Sequence, residues 1–288
     1  MAPRFVTSSD GVRLAVHESG NPEGPTVVAV HGYPDNHAVW DGLAARLATE
    51  VRFVAYDVRG AGASDKPRSR AAYRNERLAD DLAAVIDAVS PDAPVHLLGH
   101  DWGSCQLWRP LSEPRIAARV ATFTSISGPS FDHAAVWMRE RSHRAASLRQ
   151  LLASSYMLAF QVPRLPEAVV RRAPIERSVG DRFPRSEADK VNGINLYRAN
   201  VLGALRRPRP PRVGVPTLVI VPLEDPFVRP EIAMQAPVPY VADLTVAEVP
   251  GGHWVVAEEP DVVATPFRAF LARNVNWRRM RDSNPRGR

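Results

Sequence analysis

One twelve-residue stretch, VHLLGHDWGSCQ from Val95 to Gln106, constrains the fold more than any other part of the chain. An apolar run ends in Gly-His-Asp-Trp-Gly and then takes up helical spacing. That is the outline of a nucleophile elbow, a sharp strand-to-helix turn that lifts one side chain above the edge of a sheet. The common elbow reads G-x-S-x-G. Here Asp101 stands in the serine position, and G-x-S-x-G occurs nowhere in the chain, which disfavours lipase or esterase chemistry. Asp101 read as a plain helix N-cap leaves Gly99 and Gly103 without a purpose. An elbow needs both, for a tight turn and for close approach of helix to strand. Ser104 lies outside the slot.

The rest of the chain agrees with an elbow set in a parallel sheet. Val12–His17, TVVAVH (26–31), VRFVAYD (51–57), VHLLG (95–99) and RVATFTSI (119–126) read as strands. Ala38–Ala48, Arg74–Val89 and Trp102–Leu111 read as helices between them, the second with Leu78, Leu82, Val85, Ile86 and Val89 at helical spacing. Strands apolar on both faces and alternating with helices imply a parallel sheet covered on both sides. The rhythm stops over 130–212, which is helical, arginine-rich and punctuated by proline. RRPRPPRVGVP (206–216) reads as a hinge back to the body. PTLVIVPL (216–223) and DLTVAEVP (243–250) then read as strands and Pro260–Leu271 as a helix. The expected organisation is a core of 1–129 and 213–272, a helical insert of 130–212 after the sixth strand, and a basic tail of 273–288 expected to be disordered.

Composition narrows the class. With 288 residues, 45% of them hydrophobic, the chain can bury a sizeable core. Cys105 is the one cysteine, which rules out an intrachain disulfide. No stretch approaches the ~20 apolar residues of a membrane span, and the start MAPRFVTSSDG has no signal-peptide core, so a cytoplasmic protein is expected. The net charge of +6 is uneven: residues 130–212 hold 16 Lys and Arg against 7 Asp and Glu, and residues 273–288 hold 6 against 1. This reads first as a solvated arginine-rich surface. Weak contact of the insert with anionic membrane is the alternative, and without a recognisable motif nucleic acid is not an expected partner.

A nucleophile needs a base, an orienting acid and a site for an oxyanion. His253, in the glycine-rich VPGGHW loop after the last strand, is the candidate base. Asp225, at the end of TLVIVPL, is the candidate acid, with Glu224 and Asp132 as rivals. HGYP (31–34) follows an all-apolar strand, so the backbone N–H groups of Tyr33 and Trp102 are the candidate oxyanion hole. His31 and His100 read as structural.

HGYP, YDVRGAGASDKP, GHDWG, EDPFV and GGHW, in that order over residues 5–272, resemble the epoxide hydrolase and haloalkane dehalogenase branch of the α/β-hydrolases. The resemblance implies an α/β-hydrolase fold: an eight-stranded, mostly parallel sheet with a helical cap after strand six. It also implies that Asp101 attacks an sp³ carbon and forms an alkyl ester, which His253-activated water hydrolyses. A serine would form a stable ether at such a carbon, whereas an aspartyl ester can be cleaved.

The cap separates the two chemistries. Epoxide hydrolases of this kind use two cap tyrosines. SSYMLAFQVP and NLYRAN supply Tyr156 and Tyr197 in matching contexts. Dehalogenases hold a halide with tryptophan; Trp102 serves either chemistry, and Trp137 is more at home in cap packing. Trp102, Phe160 and Trp254 are the expected substrate contacts, and the resemblance implies neither metal nor cofactor. The expected substrate is a hydrophobic epoxide, a lipid epoxide if the basic cap rests on membrane, with detoxification a role of that kind. HGYPDNHAVWDGL, HDWGS and FTSISGPSFDH carry a closer likeness to the hydrolase half of actinobacterial proteins that fuse it to a short-chain dehydrogenase. With no G-x-G-x-x-G segment in the chain, no dehydrogenase activity is expected. A non-catalytic ligand-binding hydrolase fold is the remaining alternative, and it would have no need of nucleophile, acid and base together.

Overall fold

The computed structural model describes residues 2–172 and 185–283, with side chains through Val275. Eight strands, β1 (Arg4–Thr7), β2 (Arg13–Gly20), β3 (Thr26–Val30), β4 (Arg52–Tyr56), β5 (Val95–His100), β6 (Val120–Ile126), β7 (Thr217–Pro222) and β8 (Leu244–Val249), form one sheet in the order β1-β2-β4-β3-β5-β6-β7-β8. β2 runs antiparallel to β1 and β4, and every other pairing is parallel. β3, β5, β6 and β7 are buried almost throughout, as runs apolar on both faces require.

Helices cover both faces. α1 (Asp41–Leu47), α2 (Asn75–Val89), α3 (Trp102–Leu107) and α4 (Pro114–Ala117) precede β6. α5 (Phe131–Trp137), α6 (Arg144–Ala153), α7 (Tyr156–Ala159), α8 (Leu165–Arg172) and α9 (Glu187–Arg206) lie between β6 and β7. α10 (Pro230–Gln235) follows β7, and α11 (Val255–Glu258) and α12 (Pro260–Ser283) close the chain. Val28 and Val30 of β3 face the core formed with α2, while Val27 and Ala29 face the core formed with α1 and α12. Residues 173–184 of the expected cap and 284–288 of the expected tail lie outside the described residues.

Three expectations are corrected. β1 was not among the strands read from the sequence, because it is four residues long with only Val6 buried. The helix expected over Trp102–Leu111 ends at Leu107, and Pro110 opens a separate 3₁₀ turn. The chain does not lose regular structure at 273, since α12 continues to Ser283. Asn274 is buried and donates to the Phe270 carbonyl, and Arg273 reaches Asp243 and Thr245 while lying over the Phe270 ring.

α9 ties the insert to the sheet. Its N-terminus carries a capping box of Ser186 and Asp189. The Asp189 carboxylate also accepts from the Gly62 N–H (2.9 Å) and the Asn36 amide (3.4 Å). Asn200 of α9 accepts from the Asn75 N–H and donates to the Tyr73 carbonyl.

Candidate active site

β5 delivers Asp101 into a conformation that L-residues rarely adopt, φ 50° and ψ −123°. Strain of about 1–3 kcal/mol at such a residue persists only where the surroundings enforce it. Here the Asp101 N–H donates to the Ile126 carbonyl of β6 (3.0 Å), and its own carbonyl accepts from Cys105 in the first turn of α3 (2.9 Å). Gly103 is required by close approach: a Cβ on it would lie 1.9 Å from the Val30 carbonyl oxygen. Gly32 is required in the same way, because a Cβ there would meet Asp101 Oδ2 at 2.4 Å. The loop is thus stripped of side chain at Gly32 where the carboxylate passes, and α3 at Gly103 where it packs on β3.

The carboxylate points two ways. Asp101 Oδ2 accepts from the Tyr33 N–H at 2.8 Å, and Oδ1 lies 3.5 Å from His253 Nε2. His31 fixes the loop carrying Tyr33, with Nδ1 on the Gly32 carbonyl and Nε2 accepting from the Val58 N–H. The peptide bond between Tyr33 and Pro34 is cis. The Trp102 backbone N–H opens α3 directly after Asp101, as expected of an oxyanion donor, although the hydrogen bond to the resting carboxylate is made by Tyr33.

His253 and Asp225 meet because their loops are zipped together. Leu223 N–H donates to the Val249 carbonyl and Glu224 N–H to the Gly251 carbonyl. His253 Nδ1 then lies 2.8 Å from Asp225 Oδ2, while Asp225 Oδ1 accepts from the N–H groups of Phe227 and Val228. Glu224 points to solvent, and Asp132 is engaged by Arg109 and the Arg209 N–H. Asp225 is therefore the acid that reaches the histidine. Burial opposes charge on His253, but the carboxylates of Asp225 and Asp101 outweigh it and lift its pKa to about 10. Burial likewise opposes charge on Asp225, and its imidazole partner with two backbone N–H groups still holds it below the ordinary value. His100 is buried and neutral, its pKa lowered by burial and by His253, and its Nε2 lies 2.8 Å from the His253 carbonyl.

The insert between β6 and β7 brings Tyr156 over this floor. Tyr156 lines a cavity with Asp101, Trp102, Phe131, Met157 and Phe227. Tyr197, on α9, does not itself line that cavity and is buried behind Tyr156, with its ring edge-on to Trp102 and Tyr33. The rings of Tyr156 and Tyr197 meet edge-on, with centroids 5.9 Å apart. Burial, with Asp101 nearby, pushes the Tyr156 hydroxyl well above its ordinary pKa, and burial beside Tyr156 does the same to Tyr197. Both stay protonated, as donors, at neutral pH.

Two expected substrate contacts are not in the cavity wall among the described residues. Phe160 packs edge-on behind Tyr33, Tyr156 and Tyr197, because the turn after α7 swings it away. Trp254 is held under the histidine by its indole N–H on Asp35 (3.1 Å). Trp102 does line the cavity. Sequence reading missed Phe227, whose ring meets both His253 and Tyr156, although it stands in the EDPFV segment. It also missed Gln150, which bridges α6 to the acid loop through the Phe227 carbonyl and the Arg229 N–H. Asp35 was missed too; it is buried beneath the site between Arg185 and Trp254.

Fold and sequence together define the class. A model of the alpha/beta hydrolase fold matches residues 25–260, and the chain belongs to that family. Among its relatives is the "probable oxidoreductase EphD" of Mycobacterium tuberculosis, 40% identical over 93% of this chain. That match takes in 49% of the relative, so the chain spans about half the length of the curated relatives it matches first. Epoxide hydrolase 4 of Mus musculus is 27% identical over 91% of this chain and 77% of its own. A crystal structure of a Bacillus megaterium epoxide hydrolase with an inhibitor superposes with a TM-score of 0.78 at 22% identity, covering 93% of this chain and all of the other. That likeness is one of fold.

Proposed function

We propose that this chain is an epoxide hydrolase that adds water to a hydrophobic epoxide through an alkyl ester on Asp101. The observation that carries the reading is the facing of the Asp101 carboxylate and the Tyr156 phenol across one cavity, with Tyr197 packed edge-on behind Tyr156. A carboxylate oxygen of Asp101 attacks a ring carbon, and the carbon–oxygen bond breaks. The departing oxygen is met by the hydrogen-bond donors Tyr156 and Tyr197.

The raised pKa of His253 then explains the order of proton movements. The resting imidazolium sits between two carboxylates. Esterification cancels the charge of Asp101 and with it part of what holds that proton. The new alkoxide takes the proton, by way of the phenols. Neutral His253 next takes a proton from water as hydroxide adds to the ester carbonyl, with the oxyanion on the N–H groups of Tyr33 and Trp102. Collapse breaks the bond between the ester carbon and the substrate oxygen. That oxygen leaves with the proton of the newly added hydroxyl, which releases the vicinal diol and restores the Asp101 carboxylate, while His253 keeps the proton taken from water. No redox or metal step is needed for this balance.

Hydrolytic dehalogenation would use the same floor but needs donors for a halide. Trp137, the second candidate donor, spends its indole N–H on Gln235 (3.1 Å). The deciding experiment is intact mass of His253→Ala after exposure to a set of epoxides and a set of alkyl halides. The expected result is an adduct equal to the whole epoxide, mapped to Asp101. An adduct equal to the halide less HX would make the chain a dehalogenase. No adduct from either set, with the fold intact, would leave a ligand-binding hydrolase fold and overturn the proposal.

A further inference from the structure

α6 is built inside out. Its buried residues are Ser147 and Gln150, while Leu148, Leu151 and Leu152 are 59%, 53% and 66% exposed. A surface helix of a globular protein ordinarily does the opposite. The polar side is occupied: Ser147 donates to the Met138 carbonyl, and Gln150 bridges to the Phe227 carbonyl and the Arg229 N–H. The helix therefore cannot roll to bury its leucines without breaking those bonds. The three leucines stand at i, i+3 and i+4, one stripe on one face. Leu158, 63% exposed, adds apolar surface on α7.

Two further observations say what covers this stripe. Leu151 also lines the cavity that holds Asp101 and Tyr156, so the apolar face runs into the mouth of the active site. The same segment of the cap carries Arg141, Arg144 and Arg164, all exposed and without an ion-pair partner among the described residues. By contrast Arg149 is paired with Glu231 and Arg171 with Glu187. An apolar stripe flanked by unpaired arginines matches hydrocarbon edged by anionic headgroups.

We propose that the outer face of α6 and the turn after it docks on an anionic lipid surface, with the cavity mouth at Leu151 turned toward the bilayer. The leucines enter the acyl boundary, and Arg141, Arg144 and Arg164 meet the headgroup phosphates. The surface is a docking face only, since no helix among the described residues is long and apolar enough to cross a membrane.

Flotation of the whole chain with phosphatidylcholine vesicles, with and without phosphatidylglycerol, tests the proposal independently of the chemistry. The expected result is co-flotation with the anionic vesicles at low salt. Leu148→Ser/Leu151→Ser/Leu152→Ser, which removes only exposed side chains, should weaken partitioning at least about tenfold while keeping the melting transition. Arg141→Gln/Arg144→Gln/Arg164→Gln should cost on the order of 100-fold on anionic vesicles, at ~1 kcal/mol per arginine. Wild type left at the bottom of the gradient with both vesicles overturns the proposal. So does undiminished flotation of the leucine variant. A dimer that the leucine variant dissolves, with no flotation, would assign the face to a second copy of the chain.

Discussion

At the scale of single residues, the proposed triad is legible in the sequence because each member stands in a loop after a strand. Asp101, Asp225 and His253 each follow the carboxyl end of a strand, and a parallel sheet puts those ends on one edge. What the sequence does not carry is side-chain direction. Phe160 and Trp254 are adjacent to proposed site residues, yet turn away from the cavity, because the turn after α7 and a hydrogen bond to Asp35 decide their orientation. The tyrosines permit a sharper test. If Tyr156 and Tyr197 hold the departing oxygen, Tyr156→Phe and Tyr197→Phe each lower the rate of Asp101 alkylation by roughly 100- to 1000-fold, the range for loss of one oxyanion donor. The double variant should lose alkylation altogether. Hydrolysis of ester already formed should be nearly unchanged, since that step uses His253 and the backbone donors. Single-turnover kinetics separate the two steps; a defect confined to hydrolysis would assign the phenols elsewhere.

At the scale of elements, the strands that can be read are the buried ones. β3, β5 and β7 announce themselves as apolar runs, whereas β1 and the far end of α12 have no such pattern and are set by what they pack against. The elbow depends on several close approaches, the tightest of them α3 against β3. Gly103→Ala would place a methyl group 1.9 Å from a backbone carbonyl oxygen that cannot rotate away. The helix must lift off the strand, and stability should fall by about 3 kcal/mol or more. Gly203, near the end of α9, is the internal control: an added Cβ meets nothing within 4 Å. Gly203→Ala should be neutral or stabilising by up to about 1 kcal/mol, from helix propensity alone. Denaturant unfolding of both variants distinguishes a close contact from a general intolerance of alanine.

At the scale of the whole molecule, the buried site makes folding stability depend on pH, and the sign differs on the two sides of neutrality. His253 titrates at about 10 in the folded chain against an ordinary 6.5. Its contribution is fully present below pH 6.5 and is lost as pH rises through about 10. His37, raised by its bond to Asp57 against the effect of burial, has the same sign. The buried tyrosines Tyr33, Tyr56, Tyr156 and Tyr197, whose ionisation burial opposes, add a further loss once pH exceeds their ordinary 10.0. On the acid side, Asp225 and Asp57 are held below the ordinary 3.8, so their contribution is present above that value and is lost as pH falls. His133, kept neutral by burial with a pKa of about 4, withdraws stability as pH drops from 6.5 toward that value. Between pH 6.5 and 9.5 the loss should therefore come chiefly from His253. His253→Gln, which cannot titrate there, should flatten the melting temperature across this window, whatever its absolute stability. A wild-type melting temperature that stays constant from pH 6.5 to 9.5 would mean that the imidazole is not held as a cation between Asp101 and Asp225, and the proton inventory proposed for catalysis would lose its starting state.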